Sequence, residues 1–227
     1  MSIIRQKLNL RLKNDAYPFQ KDAFNEIKDK EYFAIFHEQG LGKTKIAIDL
    51  AFHWLASNHL DSVLIVTKKS LIQNWQDELK MHGNVPPLIL TNNKITNSQK
   101  LGLPGSIYLC NYELIRDDIA TYETFFQIRD MGLILDESTQ IKNPSSKTAK
   151  SFHRLSRVSK KRIIMTGTPI SNRPYDIWSQ IYFLDHGERL GKTFDDFKER
   201  YDLGNDLNDN KAGQIILKNN LDILNSK

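Results

Sequence analysis

Cysteine is almost absent from this chain, since Cys110 is the only one among 227 residues. A single cysteine cannot close an intramolecular disulfide, which excludes a disulfide-stapled secreted fold and a zinc site made of several cysteines. Long apolar runs are missing too, because no stretch approaches the ~20 residues of a membrane-spanning helix. Residues 1–13 also lack the apolar core of a signal peptide. These absences predict a cytoplasmic protein with no membrane partner.

The remaining composition is that of an ordinary globular protein, with 40% hydrophobic and 26% charged residues. This balance excludes the disordered, collagen-like and fibrous classes of protein. A chain of 227 residues predicts one large domain or two small ones.

Charge is unevenly distributed along the chain, although the net value of +5 is by itself weak evidence for a nucleic-acid partner. No acidic residue occurs from Ser138 to Tyr175. The cations of that stretch are Lys142, Lys147, Lys150, Arg154, Arg157, Lys160, Lys161, Arg162 and Arg173. They predict one strongly positive face, and the alternative is a solvated helix surface that happens to be basic.

Short β-rich segments alternate with segments of helical period, which is typical of an α/β protein whose parallel sheet carries helices on both faces. The predicted strands span residues 32–36, 63–67, 88–91, 107–110, 133–135 and 162–166. The predicted helices are Lys43–Ala56, a helix capped by Ser70, residues 147–155, a helix after Pro174, and residues 194–201. Residues 92–105 are polar and contain glycine and proline, so we expect a surface loop there.

Residues 37–44 read HEQGLGKT and join the first predicted strand to the first predicted helix. Glycines let such a loop curl so that backbone N–H groups surround a phosphate chain. Lys43 would then reach the β- and γ-phosphates, and Thr44 would bind Mg²⁺. His37 stands where the usual motif begins with glycine, so a simple helix-capping turn is the alternative. The predicted nucleotide contacts here are Gln39, Gly40, Leu41, Gly42, Lys43, Thr44 and Lys45.

The predicted strand at 133–135 is followed by two adjacent carboxylates, Asp136 and Glu137. Charged groups are costly inside a sheet, whereas the carboxyl ends of parallel strands are where α/β proteins bind ligands. Asp136 is therefore predicted to hold Mg²⁺ together with Thr44, and Glu137 to polarise an attacking water. Lys43, Asp136 and Glu137 form the predicted catalytic set.

Further short motifs occur in order along most of the chain. They are YPFQ at 17–20, NW at 74–75, NYE at 111–113, IKNP at 141–144 and TGTPISNR at 166–173. Together with the two motifs above, they make the sequence resemble the first RecA-like lobe of Swi/Snf-type DNA translocases, within helicase superfamily two. The resemblance implies a P-loop NTPase fold, a three-layer α/β sandwich with a mainly parallel sheet.

The resemblance also implies roles for further residues. Gln20 is identified with the glutamine that reads the adenine edge, which makes ATP the nucleotide and Mg²⁺ its metal. Double-stranded DNA is the implied partner, held along its phosphate backbone. The residues implied to contact it are Lys68, Ser70, Asn111, Tyr112, Lys142 and Asn143. Coupling between the nucleotide site and DNA is implied for Thr166, Gly167 and Thr168.

The sequence departs from the family pattern in two places. Ser138 and Thr139 follow the carboxylate pair, where many relatives have a small residue and histidine. Only about sixty residues follow the turn at 166–169, and they show no second set of alternating strands and helices. In such motors the second lobe supplies arginines that stabilise charge on the γ-phosphate. We therefore expect the chain alone to hydrolyse ATP weakly.

The predicted organisation is an N-terminal segment at 1–30 that carries the glutamine motif, an ATP-binding lobe at 31–187 and a C-terminal extension at 188–227. The chain could be a piece of a larger motor, a split motor with a second RecA-like lobe on another chain, or a free-standing lobe. The leading interpretation is the ATP-binding half of a DNA-dependent translocase from a small bacterial or phage member. The alternatives are a non-catalytic module that binds nucleic acid or a helicase, and a different P-loop enzyme such as a kinase or GTPase.

Overall fold

The structure is a computed structural model that describes residues 10–57, 59–103, 107–170 and 175–200. Residues 171–173 of the last motif, and the predicted C-terminal extension from residue 201 onward, lie outside the described residues. Within the described residues, no helix is both long enough and apolar enough to cross a membrane.

One parallel sheet forms the centre of the described part of the chain. Its strands are β1 (Tyr32–Ile35), β2 (Ser62–Thr67), β3 (Leu88–Ile89), β4 (Ile107–Asn111), β5 (Met131–Asp136) and β6 (Lys161–Met165). They lie in the order β1-β6-β5-β2-β4-β3, and each neighbouring pair is parallel. Each coincides with a predicted strand, which confirms the predicted α/β class.

Two of the central strands, β2 and β5, are buried along their whole length. Helices cover both faces of the sheet, so these strands are nearly continuous apolar runs rather than alternating ones. Successive side chains of a strand point to opposite faces. Val63 and Ile65 accordingly pack into one core and Leu64 and Val66 into the other.

Helices form the outer layers of the described structure. They are α1 (Pro18–Ile27), α2 (Lys43–Ala56), α3 (Ile72–His82), α4 (Lys94–Leu101), α5 (Tyr112–Asp117), α6 (Ile119–Gln127), α7 (Lys147–Ser156), α8 (Asp176–Asp185) and α9 (Phe194–Arg200). The buried apolar residues of α1, α2 and α3 belong to one core, and those of α4 to α9 belong to the other. This confirms the predicted three-layer arrangement.

The surface loop predicted at 92–105 is wrong, because α4 lies within it. Among the residues of α4, only Asn97 and Leu101 are buried, so the helix shows almost no apolar periodicity in the sequence. Its start is fixed by Asn93, whose side chain accepts a hydrogen bond from the Thr96 N–H at 3.0 Å. Three other helices, α1, α5 and α6, were not predicted either.

Ser70 does not cap α3, in contrast to the prediction. It lies inside a short 3-10 helix, Lys69–Leu71, and α3 begins after it without a side-chain cap. The Leu71 N–H bonds to the Lys68 carbonyl at 2.9 Å. Backbone bonds of this kind satisfy amides that a serine cap would otherwise serve.

Three of the cations predicted to form a positive face between residues 138 and 175 are paired with acidic residues. Arg162 is buried and donates to the carboxylate of Glu31 at 2.9 Å. Lys142 pairs with Asp176 at 3.1 Å, and Arg154 pairs with a glutamate of α6. These three ion pairs join elements of the lobe, whereas Lys147, Lys150, Arg157 and Lys160 are exposed, so a positive face stays a prediction.

Candidate functional site

A cleft of 870 Å³ opens at the carboxyl edge of the sheet, where β1, β2 and β5 end. Residues 39–45, which include most of the glycine loop, line it together with Gln20, Asp136 and Glu137. The fold thus brings the predicted catalytic residues, separated by more than 90 positions in the sequence, into one cavity.

The glycine loop needs its glycines at two positions. Gly40 and Gly42 have φ angles of +85° and +67°, in the left-handed region that other residues rarely adopt. A Cβ on Gly42 would also lie only 2.1 Å from Nε2 of Gln20. Gly42 therefore serves both as the cap of α2 and as the contact point between the loop and α1.

Lys43 begins α2 and folds back over the loop. Its ammonium donates to the carbonyl oxygens of His37 at 2.8 Å and Glu38 at 2.9 Å. Burial and the nearby Lys43 charge lower the pKa of His37, so its imidazole is neutral at pH 7. Its Nδ1 is buried without a partner in the described structure. A neutral imidazole adds no charge here, which leaves Lys43 as the cation of the loop.

Asp136 ends β5 and accepts hydrogen bonds from three neutral groups. Its Oδ2 accepts from Thr67 Oγ1 at 2.9 Å and from Trp75 Nε1 at 2.7 Å, and its Oδ1 accepts from the Glu137 N–H at 3.0 Å. Burial raises the pKa of the Asp136 carboxyl, and the Trp75 and Thr67 donors only partly oppose the increase. The carboxylate is oriented by these bonds and keeps its negative charge uncompensated by any cation among these partners.

These residues fit a magnesium site. Mg²⁺ is usually held by one or two carboxylates together with phosphate oxygens and water. Asp136 supplies a buried, oriented carboxylate, and Thr44 supplies a hydroxyl in the same cleft. A divalent cation would also stabilise the charged form of a carboxylate that burial disfavours.

Glu137 directly follows β5 and has φ 54° and ψ 51°, a left-handed conformation that is uncommon for a residue other than glycine. The Lys68 ammonium lies 3.3 Å from its Oε2. Behind Glu137 the chain turns into a 3-10 helix, Ser138–Ile141, in which Ser138 is buried. The carboxylate is therefore aimed at the cleft by a fixed backbone.

Gln20 lies at the far end of the cleft and is 5% exposed. Its Oε1 accepts from the Tyr17 N–H at 2.9 Å, which caps α1, and its Nε2 lies against Gly42. Tyr17 and Phe19 are exposed, and their rings stack with centroids 6.0 Å apart. An aromatic pair at this position offers a flat apolar surface to a planar base.

Lys45 does not offer its side chain to a nucleotide in this structure. It is buried and pairs with Asp49 one turn further along α2, at 2.5 Å. Burial raises the pKa of Asp49 despite this partner. The Lys45 backbone N–H donates to the Gly42 carbonyl at 3.0 Å, so this group is occupied as well in this structure.

The residues predicted to bind nucleic acid come from two parts of the chain, the ends of β2 and β4 and the segment between β5 and α7. Lys68 and Ser70 follow β2, and Asn111 ends β4, so the three lie at the same edge of the sheet. Tyr112 is 2% exposed, and its hydroxyl donates to the Asp136 backbone carbonyl at 2.6 Å. Direct contact of Tyr112 with DNA is therefore incompatible with its burial, and its role is to support Asp136.

Lys142 and Asn143 lie in the segment that joins β5 to α7. Lys142 is half-buried and pairs with Asp176 of α8, while Asn143 is exposed and its side chain accepts from the Ser145 N–H at 3.0 Å. Asn143 is accessible to a backbone phosphate without rearrangement, whereas Lys142 must leave its carboxylate partner first.

The turn after β6 lies against the glycine loop. Thr166 is buried, and its hydroxyl accepts from the Thr168 N–H at 3.2 Å. A Cβ on Gly167 would lie 3.2 Å from Cγ of Gln39. Gly167, one of the three predicted coupling residues, thus lies against Gln39 of the loop that would hold the phosphates.

Three residues of the site were not predicted to act there. Thr67 and Trp75 orient Asp136, and Trp75 is also buried in the core. Gln180 bonds to the segments that follow β5 and β6. The role of Thr67 could have been predicted from the sequence, since this residue ends the strand beside β5. The roles of Trp75 and Gln180 could be recognised only in the tertiary structure.

A glycine loop between a strand and a helix, and an aspartate-glutamate pair ending another strand of the same sheet, define a RecA-like P-loop NTPase lobe. The chain belongs to the SNF2-related domain family, whose profile matches residues 29–222.

Curated relatives support this assignment. The chain is 27% identical over 214 residues to the DNA repair and recombination protein RAD54-like of Danio rerio, covering 83% of this chain and 28% of that protein. It is 31% identical over 162 residues to the chromatin-remodeling ATPase INO80 of Candida albicans, covering 65% of this chain and 11% of that one. The chain thus spans less than a third of these relatives' length.

Solved structures agree with the fold. The Sulfolobus solfataricus SWI2/SNF2 ATPase core in complex with dsDNA matches with a TM-score of 0.74 and 26% identity, over 93% of this chain and 44% of that one. The structure of the core domain from the same organism matches with a TM-score of 0.70 and 25% identity, over 94% and 43%. The predicted RecA-like fold is confirmed.

Proposed function

We propose that this chain is the ATP-binding half of a DNA-dependent ATPase of the Swi/Snf type. The observation that carries the proposal is the meeting of the glycine loop with Asp136 and Glu137 in one cleft. Membership of a family whose relatives include RAD54-like and INO80 proteins supports the same chemistry.

The residues of the cleft have separate roles in the proposed hydrolysis of ATP. The amides of the glycine loop and the start of α2 hold the phosphate chain, and Lys43 exchanges its carbonyl partners for phosphate oxygens. Thr44 and Asp136 hold Mg²⁺, which neutralises phosphate charge when bound. Glu137 orients the attacking water and accepts its proton. Gln20 and the Tyr17–Phe19 pair contact the adenine.

Duplex DNA is the proposed partner at the neighbouring edge. Lys68, Ser70 and Asn111 are placed to contact backbone phosphates, joined by Asn143 and by Lys142 once it is released from Asp176. The relative from Sulfolobus solfataricus was solved with dsDNA, which supports this partner. A second RecA-like lobe, here proposed to come from another chain, would complete the site.

We expect these 227 residues alone to hydrolyse ATP weakly, because in such motors the second lobe supplies the arginines that stabilise charge on the γ-phosphate. An arginine finger contributes about 10³–10⁵ in rate in well-studied nucleotide hydrolases.

We also propose a small bacterial or phage origin, since abundant lysine, asparagine and isoleucine are typical of AT-rich genomes. This origin implies a place in the cytoplasm beside DNA. The base composition of the DNA flanking the coding sequence tests the origin.

The proposal is tested by ATP turnover with and without duplex DNA, beside Glu137→Gln, and by ATP binding to Lys43→Ala. We expect ATP binding that is lost in Lys43→Ala and turnover close to background. DNA-stimulated turnover that Glu137→Gln abolishes would show that the chain completes its own site, which contradicts the need for a second lobe. Tighter binding of GTP than ATP would favour a different P-loop enzyme, and unimpaired ATP binding by Lys43→Ala would overturn the proposed site.

A further inference from the structure

The ammonium of Lys68 and the carboxylate of Glu137 form an ion pair, with 3.3 Å between Nζ and Oε2. The pair joins two neighbouring strands of the sheet. β2 and β5 are paired in register at Val66 and Leu135, so two residues further on Lys68 stands opposite Glu137. Parallel pairing thus places the ends of β2 and β5, and with them Lys68 and Glu137, next to each other.

The backbone of Glu137 makes this contact specific. Glu137 is in a left-handed conformation and lies between two buried residues, Asp136 and Ser138. These neighbours fix its backbone and therefore the direction of its side chain. Among the described residues, Lys68 is the side chain that pairs with this carboxylate. Lys68 itself extends from the end of β2 on a flexible four-carbon stem.

The two partners have conflicting duties under the proposed function, on which this inference rests. Glu137 has to orient the attacking water, and a carboxylate oxygen that is held by an ammonium is less available to that water. Lys68 has to contact a DNA phosphate, and it is less available for this contact while Glu137 holds it. Both duties can be met only when the pair separates.

The pair is suited to exchange. The Lys68 side chain is 41% exposed and that of Glu137 24% exposed, so a phosphate can approach the ammonium from solvent. A partly exposed ion pair is weak, whereas a fully buried one would be costly to break. A phosphate diester offers the ammonium an equivalent anionic partner, and DNA binding also releases counterions.

We propose that Lys68 is a positioning residue that restrains Glu137 until a DNA backbone phosphate takes its place. DNA then frees the carboxylate that orients the attacking water. Because coupling of binding equilibria is reciprocal, freeing Lys68 by removing the Glu137 charge must strengthen DNA binding. This consequence can be measured on the chain as it is, without any turnover.

The test is the affinity for a fluorescent duplex DNA of the natural chain, Glu137→Gln, Lys68→Met and the double variant. We expect Glu137→Gln to bind DNA about two- to five-fold more tightly, as befits a partly exposed pair. In the Lys68→Met background this gain should disappear. Lys68→Met should also reduce the salt dependence of binding by about one phosphate contact.

Two matched variants control for unspecific charge effects. Glu113→Gln removes an exposed carboxylate at the start of α5, near the same edge, and measures the gain from a lost negative charge alone. Lys69→Met removes the neighbouring exposed cation and should leave the effect of Glu137→Gln intact. Lys68→Arg keeps the charge and should retain the coupling.

The outcomes separate this inference from the function on which it rests. An equal gain from Glu137→Gln with and without Lys68, or a gain no larger than that from Glu113→Gln, would overturn the switch while leaving DNA binding in place. Absence of DNA binding by every protein, with ATP binding intact, would overturn the DNA partner and the switch together.

Discussion

The carboxylate of Asp136 is held by neutral donors only, and this determines its chemistry. Thr67 and Trp75 fix its direction without supplying positive charge, so the side chain remains available to a cation. Burial raises its pKa and so disfavours its charged form. The site therefore gains stability when a metal ion binds, and each donor to Asp136 contributes to the affinity for that ion.

Trp75→Phe should weaken Mg²⁺-nucleotide binding, because it removes the Nε1 donor to Asp136 while an aromatic ring is kept in the core. The lost bond to a charged group should also reduce the free energy of unfolding by about 1.5–3 kcal/mol. Titration with a fluorescent ATP analogue and urea denaturation measure the two effects.

Trp54→Phe is the matched control for this change. Trp54 Nε1 donates to the Lys28 backbone carbonyl at 3.0 Å, away from the cleft. Trp54→Phe should lower the free energy of unfolding and leave the nucleotide affinity unchanged. Equal nucleotide affinity in both variants would contradict the role assigned to Trp75.

At the scale of elements, α7 and α8 are joined by His153. Its Nε2–H donates to the Ser179 carbonyl of α8 at 2.9 Å, and its ring packs on Tyr182 with centroids 4.7 Å apart. Burial lowers the pKa of His153 to about 4. The neutral ring is therefore part of the packed interface between these two helices.

Acid should destabilise the fold through this histidine. A base whose pKa is lowered by folding contributes stability above its unfolded value of about 6.5, and that stability is lost as the pH falls towards its folded value. His153 should thus account for a loss on the order of 2–3 kcal/mol between pH 7 and pH 4. Urea unfolding of the natural chain and of His153→Gln across this range measures the contribution. Parallel pH profiles for the two proteins would refute it.

Gln180 of α8 connects the segments that follow β5 and β6. Its Oε1 accepts from Ser138 Oγ at 2.7 Å, and its Nε2 donates to the Pro169 carbonyl at 2.8 Å. Ser138 follows the catalytic pair, and Pro169 follows the coupling turn. This buried bridge links the segment after β5, where Ser138 and Thr139 replace the family's small residue and histidine, to the turn after β6.

Gln180→Leu should destabilise the chain by about 2–4 kcal/mol, because it leaves buried polar groups at both segments without partners. Adding Ser138→Ala should restore part of the loss, since the orphaned hydroxyl is then gone. A double-mutant cycle in urea denaturation tests this. Strictly additive losses would show that Ser138 and Gln180 do not act as a unit.

At the scale of the whole molecule, the described residues form one lobe with its nucleotide cleft at a single edge of the sheet. Movement along DNA needs two grips whose separation changes with the nucleotide state. We therefore expect the chain alone to bind DNA without moving along it. A strand-displacement assay on a duplex with a labelled third strand measures this, and ATP-dependent release of that strand would contradict the expectation.

The sequence was sufficient for the strands, for α2 and for a set of candidate site residues. Each of these depends on local information: apolar runs form buried strands, the glycine loop has residue types with few other uses, and Asp136 and Glu137 follow a strand directly. It was insufficient for α4, whose exposed surface carries no apolar period. It also could not show which cations of the basic stretch are paired, because ion partners such as Glu31 lie far away in the chain.

By itself, then, the sequence determined the fold class and the set of candidate nucleotide residues, because motifs of neighbouring residues encode both. Only the tertiary structure decided which of those side chains are available. It buried Tyr112, paired Lys45 with Asp49, and set Lys68 against Glu137. The physical reason is that burial and ion pairing depend on strand order and register, which bring together residues that the sequence keeps far apart.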